Sequence, residues 1–473
     1  MLRCLGPRLL RRNVATMSAR KPAKPLLVVL GSTGTGKSDL AVELAMRFNG
    51  EVINADAMQL YRGLPIITNK ITPQEQHGVP HHLLGHIGLD EAPWDVEDFR
   101  REATRVMGEI RGRGNLPILV GGTQYYVDPL LFTDIILDQV QQAGPDTSFP
   151  ILEEPTEVLL EELRKCDPVM AERWHPNDRR KIQRSLEIFL HTGKPASQLY
   201  DEQRERRAAA AQETGGDAQP WEKLLFWVDA DKEVLRERLD GRVDKMLDAG
   251  LLAEVRELYD FKLDQAASGT ELDMTKGIWQ SIGYKQFEPY LAALDGGEDV
   301  PADDLAALKA RAVEDMKTAT RRYANYQTRW IRLKQIRRLR EEGPEALRSL
   351  YLVDSTDAAQ FHERVVGPAA DVTARFLAGE PCPDPTTLSE RACEVLTVAA
   401  EPPPPETPAR HTCDLCQTVL VTEQAWQRHV KGTAHRRALK KKKKLALVPL
   451  ERTRGDDSGG ATPPSSPDIG SLF

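Results

Sequence analysis

The chain of 473 residues is long enough for two or three domains, and its composition, 40% hydrophobic and 29% charged, is ordinary for a globular protein. Its net charge of −7 does not by itself indicate nucleic-acid binding, although basic residues occur in clusters. No apolar run approaches the roughly 18–20 residues of a membrane helix, and six cysteines in so long a chain exclude a disulfide scaffold and favour reducing, intracellular surroundings.

The first 24 residues contain several arginines and lysines, with leucines between them and no acidic residue. This composition is typical of an amphipathic mitochondrial presequence. Met17 offers a second start that would remove most of the segment. We therefore expect the protein in both the mitochondrion and the cytoplasm.

A phosphate-binding loop follows the first predicted strand. The apolar run Leu26–Leu30 leads directly into a segment that fits G-x-x-x-x-G-K-[ST], and helix-forming residues come next. Backbone N–H groups of such a loop surround an anion, the helix N-terminus adds its positive end, and Lys37 adds a charge. Ser38 is placed to bind a Mg²⁺ ion that shares the phosphates. The sequence therefore predicts a di- or triphosphate site formed by Gly31, Ser32, Thr33, Gly34, Thr35, Gly36, Lys37 and Ser38.

Three later segments also have the apolar character of core strands, namely Glu51–Asp56, Leu116–Val120 and Leu224–Val228. Helical spacing separates them, and this alternation predicts an α/β fold with a doubly wound parallel sheet. The ligand of such a sheet lies at the carboxyl ends of its strands. Asp56, Gly121–Thr123 and Asp229 fall at those ends, and we expect Asp229 to be a helix cap.

Two helical regions carry clusters of positive charge. Residues 155–200 have helical spacing between two loose stretches, which indicates a helical insertion domain. Residues 309–340 form a second basic helix, in which Tyr323, Tyr326 and Trp330 are interleaved with arginines and lysines. We expect these rings to pack inward while the cations face a polyanion.

The C-terminal part contains a separate small module. Cys413 and Cys416, followed by His429 and His435, have the spacing of a Cys₂His₂ (C2H2) zinc finger. Four ligands leave no open coordination position, so we expect the Zn²⁺ to be structural. The run Lys440–Lys444 follows and suits phosphate backbones or nuclear import. Residues 381–408, rich in Pro, Glu and Thr, predict a linker.

These features divide the chain into seven predicted segments. They are a presequence (1–24), the first part of a P-loop core (25–133), the helical insertion domain (134–220), the second part of the core with the basic helix (221–345), a C-terminal extension with a Pro-rich linker (346–408), the zinc finger with its basic tail (409–445) and a disordered tail (446–473).

From the residues alone, the best-supported chemistry is transfer from a phosphate-containing donor. The strand Leu116–Val120 ends in Gly-Gly-Thr and lacks the Asp with which ATPases and GTPases usually organise Mg²⁺. The candidate carboxylate is Asp56, placed where small-molecule kinases often carry an acceptor-activating Asp. Residues 229–242 are similar to the arginine-bearing lid of nucleotide kinases. We infer an acceptor that Asp56 deprotonates.

Seven segments of the chain together form a more specific pattern. They are 31–38 (GSTGTGKS), 56–70 (DAMQLYRGLPIITNK), 120–126 (VGGTQYY), 175–187 (HPNDRRKIQRSLE), 242–250 (RVDKMLDAG), 281–284 (SIGY) and 320–330 (TRRYANYQTRW). This pattern resembles the tRNA dimethylallyltransferases (tRNA isopentenyltransferases), and the resemblance covers residues 25–335 in consistent order. A zinc finger after the catalytic region resembles the eukaryotic members, where it is matrin-like. Ala57 departs from the pattern, because many members have Ser there.

The resemblance implies transfer of a dimethylallyl group from dimethylallyl diphosphate to N6 of adenine 37 of tRNA, with release of diphosphate. Asp56 would be the general base, and Lys37, Arg242 and Mg²⁺ would stabilise the leaving group. Thr33 would either donate to the bridging oxygen of the leaving group or position Asp56. The base must be flipped out of the anticodon loop. We expect a monomer, no membrane association, and tRNA contacts from Asp56, Ala57, Met58, Gln59, Gly121, Gly122, Thr123, Arg180, Lys181, Ile182, Gln183, Arg184, Ser281, Ile282, Gly283, Lys317, Arg321 and Arg322.

Three alternatives stay open at this point. The chain could be an isopentenyltransferase acting on free adenine nucleotides, a P-loop nucleotide or nucleoside kinase, or a nucleic-acid-binding protein with a vestigial phosphate loop. The insertion, the basic helix and the finger argue against a small acceptor, which would not require them. The intact Lys37, Ser38 and Asp56 argue against a decayed site.

Overall fold

The computed structural model describes residues 21–132, 149–202, 205, 222–296, 300–401, 407–416 and 418–446. The described residues form two compact units, of which the first holds 21–132, 222–296 and 300–401, and the second holds the remainder. The predicted presequence, apart from residues 21–24, and the predicted disordered tail, apart from Ala446, lie outside the described residues. Within the described ranges, no helix combines the length and hydrophobicity needed to cross a membrane.

A six-stranded sheet organises the first unit. Its order is β3-β2-β4-β1-β5-β6, and each neighbouring pair is parallel. The central β1 pairs on one side with β4, where Val29 faces Val120, and on the other with β5, where Val29 faces Phe226. The strands are β1 (Pro25–Gly31), β2 (Gly50–Asn54), β3 (His81–His82), β4 (Leu116–Val120), β5 (Glu222–Asp229) and β6 (Leu350–Asp354).

Helices follow the strands and form the insertion and part of the finger. In chain order they are α1 (Lys37–Phe48), α2 (Val96–Gly112), α3 (Gln124–Leu131), α4 (Thr156–Cys166), α5 (Pro168–Arg173), α6 (Arg179–Thr192), α7 (Lys232–Asp248), α8 (Leu251–Ala267), α9 (Tyr284–Asp295), α10 (Ala302–Trp330), α11 (Ile336–Glu342), α12 (Pro344–Arg348), α13 (Gly367–Ala378), α14 (Glu390–Ala400), α15 (Glu423–Val430) and α16 (Thr433–Ala446). The finger also contains the antiparallel pair β7 (Pro408–Cys413) and β8 (Thr418–Thr422).

Helices cover both faces of the sheet. The side chains of each strand alternate between these faces, so each strand contributes to two cores. From β1, Leu26 and Val28 join one core, together with residues of α2, α3 and α7–α11. Leu27 and Val29 join the other core, with residues of α1 and α13. The predicted α/β fold with a doubly wound parallel sheet is therefore confirmed.

The predicted C-terminal extension belongs to the first unit as far as residue 401, and this corrects part of the linker prediction. Residues 350–354 form the edge strand β6, which the sequence analysis did not predict. The predicted linker 381–408 is wrong for Glu390–Ala400, which is helical and buries Ala392 and Leu396. These two residues lie one helical turn apart, so they share the face that packs on the core. The Pro-, Glu- and Thr-rich composition of the whole stretch 381–408 concealed this helical spacing of apolar residues.

The basic helix α10 is long and does not end as a regular α-helix. Its last turn continues into a π-helical turn at Ile331–Gln335 and then into α11. Trp330 donates from its indole Nε1 to the buried Asp128 carboxylate at 3.0 Å. Tyr326 is 40% exposed, so the predicted inward packing is wrong for this ring. Its position, three residues after Tyr323, lies toward the edge of the helix face that packs on the core.

Candidate active site

The predicted phosphate loop joins β1 to α1 and has a closed, glycine-dependent shape. Gly36 immediately precedes α1 with φ 87°, a left-handed conformation that glycine adopts without a steric penalty. Thr35 Oγ1 donates to the Ser32 carbonyl at 2.9 Å, and Lys37 Nζ donates to the same oxygen at 2.8 Å. The lysine head therefore lies over the loop, where a bound phosphate would be reached.

Arg242 reaches the same loop from the middle of α7. Its Nη1 donates to Thr33 Oγ1 at 2.8 Å. Among the described residues, Arg242 Nε and Ser32 Oγ are buried polar atoms without a hydrogen-bond partner. Buried donors normally have a partner, so these orphaned groups fit a site that is completed by an anion.

Asp56 lies two residues beyond β2 in a turn that its neighbours hold. Asn54 Oδ1 accepts from the Asp56 N–H at 3.1 Å, and Asn54 Nδ2 donates to the Asp56 carbonyl at the same distance. The Asp56 carboxylate accepts from the Met58 N–H at 3.0 Å. One carboxylate oxygen is therefore used in positioning, which leaves lone pairs of the group for a substrate proton.

The three charged groups of the site perturb one another. Burial lowers the pKa of Lys37 to about 8, an effect that the Asp56 carboxylate opposes and the Arg242 guanidinium strengthens. Burial likewise lowers the pKa of Arg242 to about 10, again opposed by Asp56. Burial raises the pKa of Asp56, although the Met58 N–H and Lys37 act against this shift. Perturbed groups that face one another in a cleft are typical of active sites.

Asp56 and Arg242 line one cleft of about 720 Å³, including its open mouth. Of the predicted residues, it contains Thr33, Asp56, Met58, Gln59, Arg242, Ser281 and Ile282. The other lining residues are Ile67, Thr68, Asn69, Met246, Gln280, Met316, Thr320 and Tyr323.

The lip of the cleft at Ile67–Asn69 is held by an acidic residue that sequence reasoning missed. Both carboxylate oxygens of Glu254 on α8 accept from the Ile66 N–H, at 2.9 and 3.0 Å, and one of them also accepts from the Ile67 N–H at 2.7 Å. Gln59 Nε2 donates to the Asn69 carbonyl at 2.9 Å. The predicted residue Gln59 is therefore a brace of the lip as well as a lining residue.

A second missed residue, Gln327 on α10, connects the loop to the end of β4. Its side chain is 1% exposed. Its Oε1 accepts from the Thr33 N–H at 2.8 Å, and its Nε2 donates to the Gly122 carbonyl at 3.1 Å. Tyr323, one turn earlier on the same helix face, lines the cleft. The sequence could have indicated this pair, because Tyr323 and Gln327 are four residues apart in the motif 320–330 and therefore lie on one helix face.

The predicted strand-end residues Gly121, Gly122 and Thr123 act mainly as close-packed support. A Cβ at Gly121 would lie 2.2 Å from the Ala55 carbonyl oxygen, and one at Gly122 would lie 2.0 Å from Gln327 Nε2. Thr123 Oγ1 accepts from the Ala57 N–H at 3.0 Å. These glycines allow the Asp56 turn and α10 to approach β4 closely.

Comparison with known proteins identifies the family. A model of the IPP transferase family matches residues 59–334, which is more than half of the chain. The chain is also 37% identical over 442 residues to the tRNA dimethylallyltransferase of Schizosaccharomyces pombe, covering 89% of this chain and 96% of the relative. The chain belongs to the IPP transferase family.

Further comparisons agree with this assignment. The human tRNA dimethylallyltransferase is 35% identical over 426 residues, with 89% of this chain and 87% of the relative covered. A solved structure described as a eukaryotic dimethylallyltransferase acting on tRNA superimposes with a TM-score of 0.73 and 31% identity, covering 90% of this chain and 98% of that one. The resemblance inferred from the motifs is confirmed.

Two of the three predicted RNA-contacting cations of α10 form ion pairs within the chain. Lys317 Nζ lies 2.7 Å from the Asp244 carboxylate, and Arg321 pairs with Asp240, so both are held against α7. Arg322 is exposed. Gly283 has φ 123° and lies just before α9, where an added Cβ would be 3.1 Å from the Ile67 side chain. Gly283 is thus a packing residue at the cleft.

The predicted cluster 180–184 lies on α6 of the insertion, and one member is not a candidate for RNA contact. Ile182 is 0% exposed and belongs to the core of the insertion. A basic helix that packs on its neighbours must turn its apolar positions inward, and the prediction for Ile182 is therefore wrong. Arg180 and Lys181 are exposed, and Gln183 and Arg184 are partly so.

Asp229, at the end of β5, forms a buried ion pair and is not an open carboxylate. Arg391 of α14 donates to its Oδ2 from Nε at 2.9 Å and from Nη2 at 2.7 Å. Arg391 Nη2 also donates to the Ala230 carbonyl at 2.7 Å. The helix-cap prediction for Asp229 is wrong, because Asp231 caps α7 through the Glu233 and Val234 N–H groups.

The finger brings its four predicted ligands together. The ligand atoms of Cys413, Cys416, His429 and His435 all lie within 4.8 Å of one another. The cysteines flank the turn between β7 and β8, whereas the histidines lie on α15 and α16. Trp426 stacks on His411, with ring centroids 4.9 Å apart, and packs beside His429. This donor set could hold one metal ion.

Proposed function

We propose that this chain transfers a dimethylallyl group from dimethylallyl diphosphate to N6 of adenine 37 in the anticodon loop of tRNA, releasing diphosphate. The observation that carries the proposal is a single cleft that contains both Asp56 and the Arg242–Thr33 pair. A carboxylate suits the acceptor, and the loop with its cations suits the diphosphate. Relatives that match 89% of the chain are named tRNA dimethylallyltransferases.

The leaving-group side is formed by the phosphate loop. As the bond from C1 of the allyl group to the bridging oxygen breaks, the electron pair leaves with the diphosphate. Lys37, Arg242 and the N–H groups at the start of α1 then stabilise the added negative charge. Thr33 Oγ1 accepts from Arg242, so its own hydrogen is free to be donated to the diphosphate.

The acceptor side is formed by Asp56. The exocyclic amine of adenine is a weak nucleophile, because its lone pair is delocalised into the ring. As N6 forms its bond to C1, the nitrogen becomes acidic and gives a proton to the Asp56 carboxylate. A raised pKa makes the Asp56 carboxylate a stronger base than an ordinary carboxylate.

Two metal ions accompany the proposal. Mg²⁺ would take the Ser38 hydroxyl together with diphosphate oxygens and water, which is the oxygen-rich ligand set that this ion prefers. When bound, it would add charge stabilisation to the leaving group. Zn²⁺ would be held by Cys413, Cys416, His429 and His435, whose donor types and spacing fit a closed tetrahedral site.

The alternative functions, transfer to a free adenine nucleotide or to a kinase substrate, use smaller acceptors than tRNA. A free adenine nucleotide or a kinase substrate does not require a helical insertion with exposed Arg180 and Lys181, or a finger followed by the basic α16. Extended basic surfaces suit a polyanion such as the anticodon stem-loop. We propose a monomer that acts on tRNA in the mitochondrion and the cytoplasm, with the lysine run as a signal for the nucleus. N-terminal sequencing of fractionated protein tests the dual start.

The experiment is a transfer assay with purified protein, Mg²⁺, labelled dimethylallyl diphosphate and an anticodon stem-loop with adenine at position 37. Asp56→Ala and Asp56→Asn are assayed in parallel, since Asn keeps the oxygen that accepts from the Met58 N–H but cannot take a proton. We expect label in the wild-type product and a loss of about 10²–10⁴ in rate for both variants. An unlabelled stem-loop, with ATP consumed instead, would favour the kinase.

A further inference from the structure

The phosphate loop is in contact with the segment Ser355–Phe361, which follows β6. Arg238 of α7 joins the two: its Nη1 donates to the Gly34 carbonyl at 3.3 Å, and its Nη2 donates to the Ser355 and Thr356 carbonyls at 3.1 and 3.2 Å. Thr356 Oγ1 accepts from the Asp231 N–H at 2.9 Å. One guanidinium therefore links loop, helix α7 and this segment.

Phe361 contacts the loop at a second point. A Cβ at Gly36 would lie 2.6 Å from Phe361 Cε2, so the ring covers the bare backbone just before α1. Farther along, His362 Nε2 lies 3.2 Å from Arg47 Nη2 near the end of α1. Val365 and Val366 are buried in the same core as Leu40 and Leu44. The chain from Phe361 to Val366 thus follows α1 from the residue before its start to its last turn.

The bond from Arg238 has a consequence for anion binding. The C=O and N–H of a trans peptide point in opposite directions. Because Arg238 holds the Gly34 carbonyl, it also fixes the direction of the Thr35 N–H, which belongs to the same peptide. A glycine-rich loop has many accessible conformations when it is not restrained, and each restraint favours the arrangement in which its N–H groups converge.

We infer that Ser355–Phe361 is a positioning element of the diphosphate site, and that Phe361 and Arg238 are positioning residues that act through Gly34 and Gly36. The inference rests on the proposed function, since it presumes that the loop takes a diphosphate. The segment contributes to affinity for diphosphate by ordering the loop before the ligand arrives, and none of its residues lines the cleft that contains Asp56.

The test uses the full-length protein and inorganic diphosphate with Mg²⁺, titrated in a calorimeter. Phe361→Ala removes the ring, and Phe361→Leu keeps an apolar cover on Gly36. Phe376→Ala is the matched control, because Phe376 packs against the same core from α13. We expect diphosphate affinity to fall about tenfold in Phe361→Ala and by much less in Phe361→Leu, with Phe376→Ala near the wild-type value.

Arg238→Lys gives an independent arm, since a lysine keeps the charge but cannot bridge three carbonyls. It should weaken diphosphate binding, and it should raise KM for dimethylallyl diphosphate while KM for the stem-loop stays within about twofold. If Phe361→Ala and Phe376→Ala lower the melting temperature alike and both keep wild-type diphosphate affinity, the segment is only structural and the inference is wrong.

The outcomes separate this inference from the proposed function. Diphosphate binding needs no prenyl transfer. A wild-type protein that binds diphosphate but leaves the RNA unlabelled would contradict the proposed function, and the binding titrations of its variants would still test the role of Ser355–Phe361. A wild-type protein that binds no diphosphate at all would overturn both.

Discussion

Arg242 Nη1 donates to Thr33 Oγ1 at 2.8 Å, although the two residues are 209 positions apart in the chain. The bond anchors α7 to the phosphate loop and occupies the lone pair of the threonine oxygen. It leaves the hydroxyl hydrogen and the buried Arg242 Nε for a ligand. Two donors are thereby aimed at the same small volume before any anion is bound.

Replacing Thr33 should therefore affect turnover through its hydroxyl alone. Thr33→Val keeps the shape but leaves Arg242 Nη1 without its partner, and we expect kcat to fall about 10–100-fold. Thr33→Ser keeps the hydroxyl and should stay within about threefold of wild type. Steady-state kinetics with varied dimethylallyl diphosphate measure both, and equal rates for Val and Ser would contradict this role.

The pKa of Lys37 predicts an alkaline limit to activity. With its pKa lowered to about 8, Lys37 is charged below that pH and loses its proton above it, so the loop attracts diphosphate less strongly in alkaline solution. The pH profile of kcat/KM, which reports on the free enzyme, should fall above about pH 8. In Lys37→Arg the overall rate should be lower, but this fall should disappear, since arginine stays charged.

An unchanged alkaline fall in Lys37→Arg would assign the titration to another group. Stem-loop stability, measured over the same pH range by its melting temperature, is the necessary control, because RNA duplexes also respond to alkali.

Gln327 should contribute to stability and to diphosphate affinity together. Gln327→Met preserves size but leaves the Thr33 N–H and the Gly122 carbonyl unpaired, which should lower the free energy of unfolding by about 2–4 kcal/mol. KM for dimethylallyl diphosphate should rise because the loop loses its anchor. Urea unfolding and steady-state kinetics give the two quantities.

Gln335 provides the matched control for Gln327. It is also fully buried, but its Nε2 donates to the Gln124 and Asp128 side chains, at 2.6 and 2.9 Å, and not to the loop. Gln335→Met should cost comparable stability and leave KM for the diphosphate substrate unchanged. If the two variants raise that KM equally, the effect comes from general loosening of α10 and α11.

The finger should act on tRNA and not on the small substrate. Deleting residues 409–445, or replacing Cys416 with Ser, should raise KM for tRNA more than it lowers kcat. Chelation of zinc in the intact protein should have the same effect, because the fold of such a module depends on its metal. A change in KM for dimethylallyl diphosphate would instead place the finger in the active site.

Prediction from the sequence succeeded where one short segment contains both the required residue types and the required spacing. The phosphate loop between an apolar run and a helix, and the four finger ligands, were predicted in place. Asp56 was recognised as a strand-end carboxylate, and Arg242 as part of a helix motif. Short-range spacing is enough for such sites, because each is formed mainly within one supersecondary unit.

Other contacts depend on residues that are distant in the chain. Gln327 reaches Thr33 across 294 positions, and Arg391 reaches Asp229 across 162. Whether Asp229 is an open carboxylate, and whether Lys317 faces RNA or Asp244, is decided by which helix packs beside it. The same applies to Ile182, whose burial depends on the packing of its insertion helix.

The sequence by itself determined the type of sheet, the identity of the phosphate loop and the family, since these follow from periodicity and from residue types at fixed spacings. Only the tertiary structure decided that Ser355–Phe361 contacts the loop and that Arg238, Arg242 and Gln327 form hydrogen bonds with it. The physical reason is that a hydrogen bond between distant segments leaves no periodic trace in either segment, and its partners are selected by packing after the chain has folded.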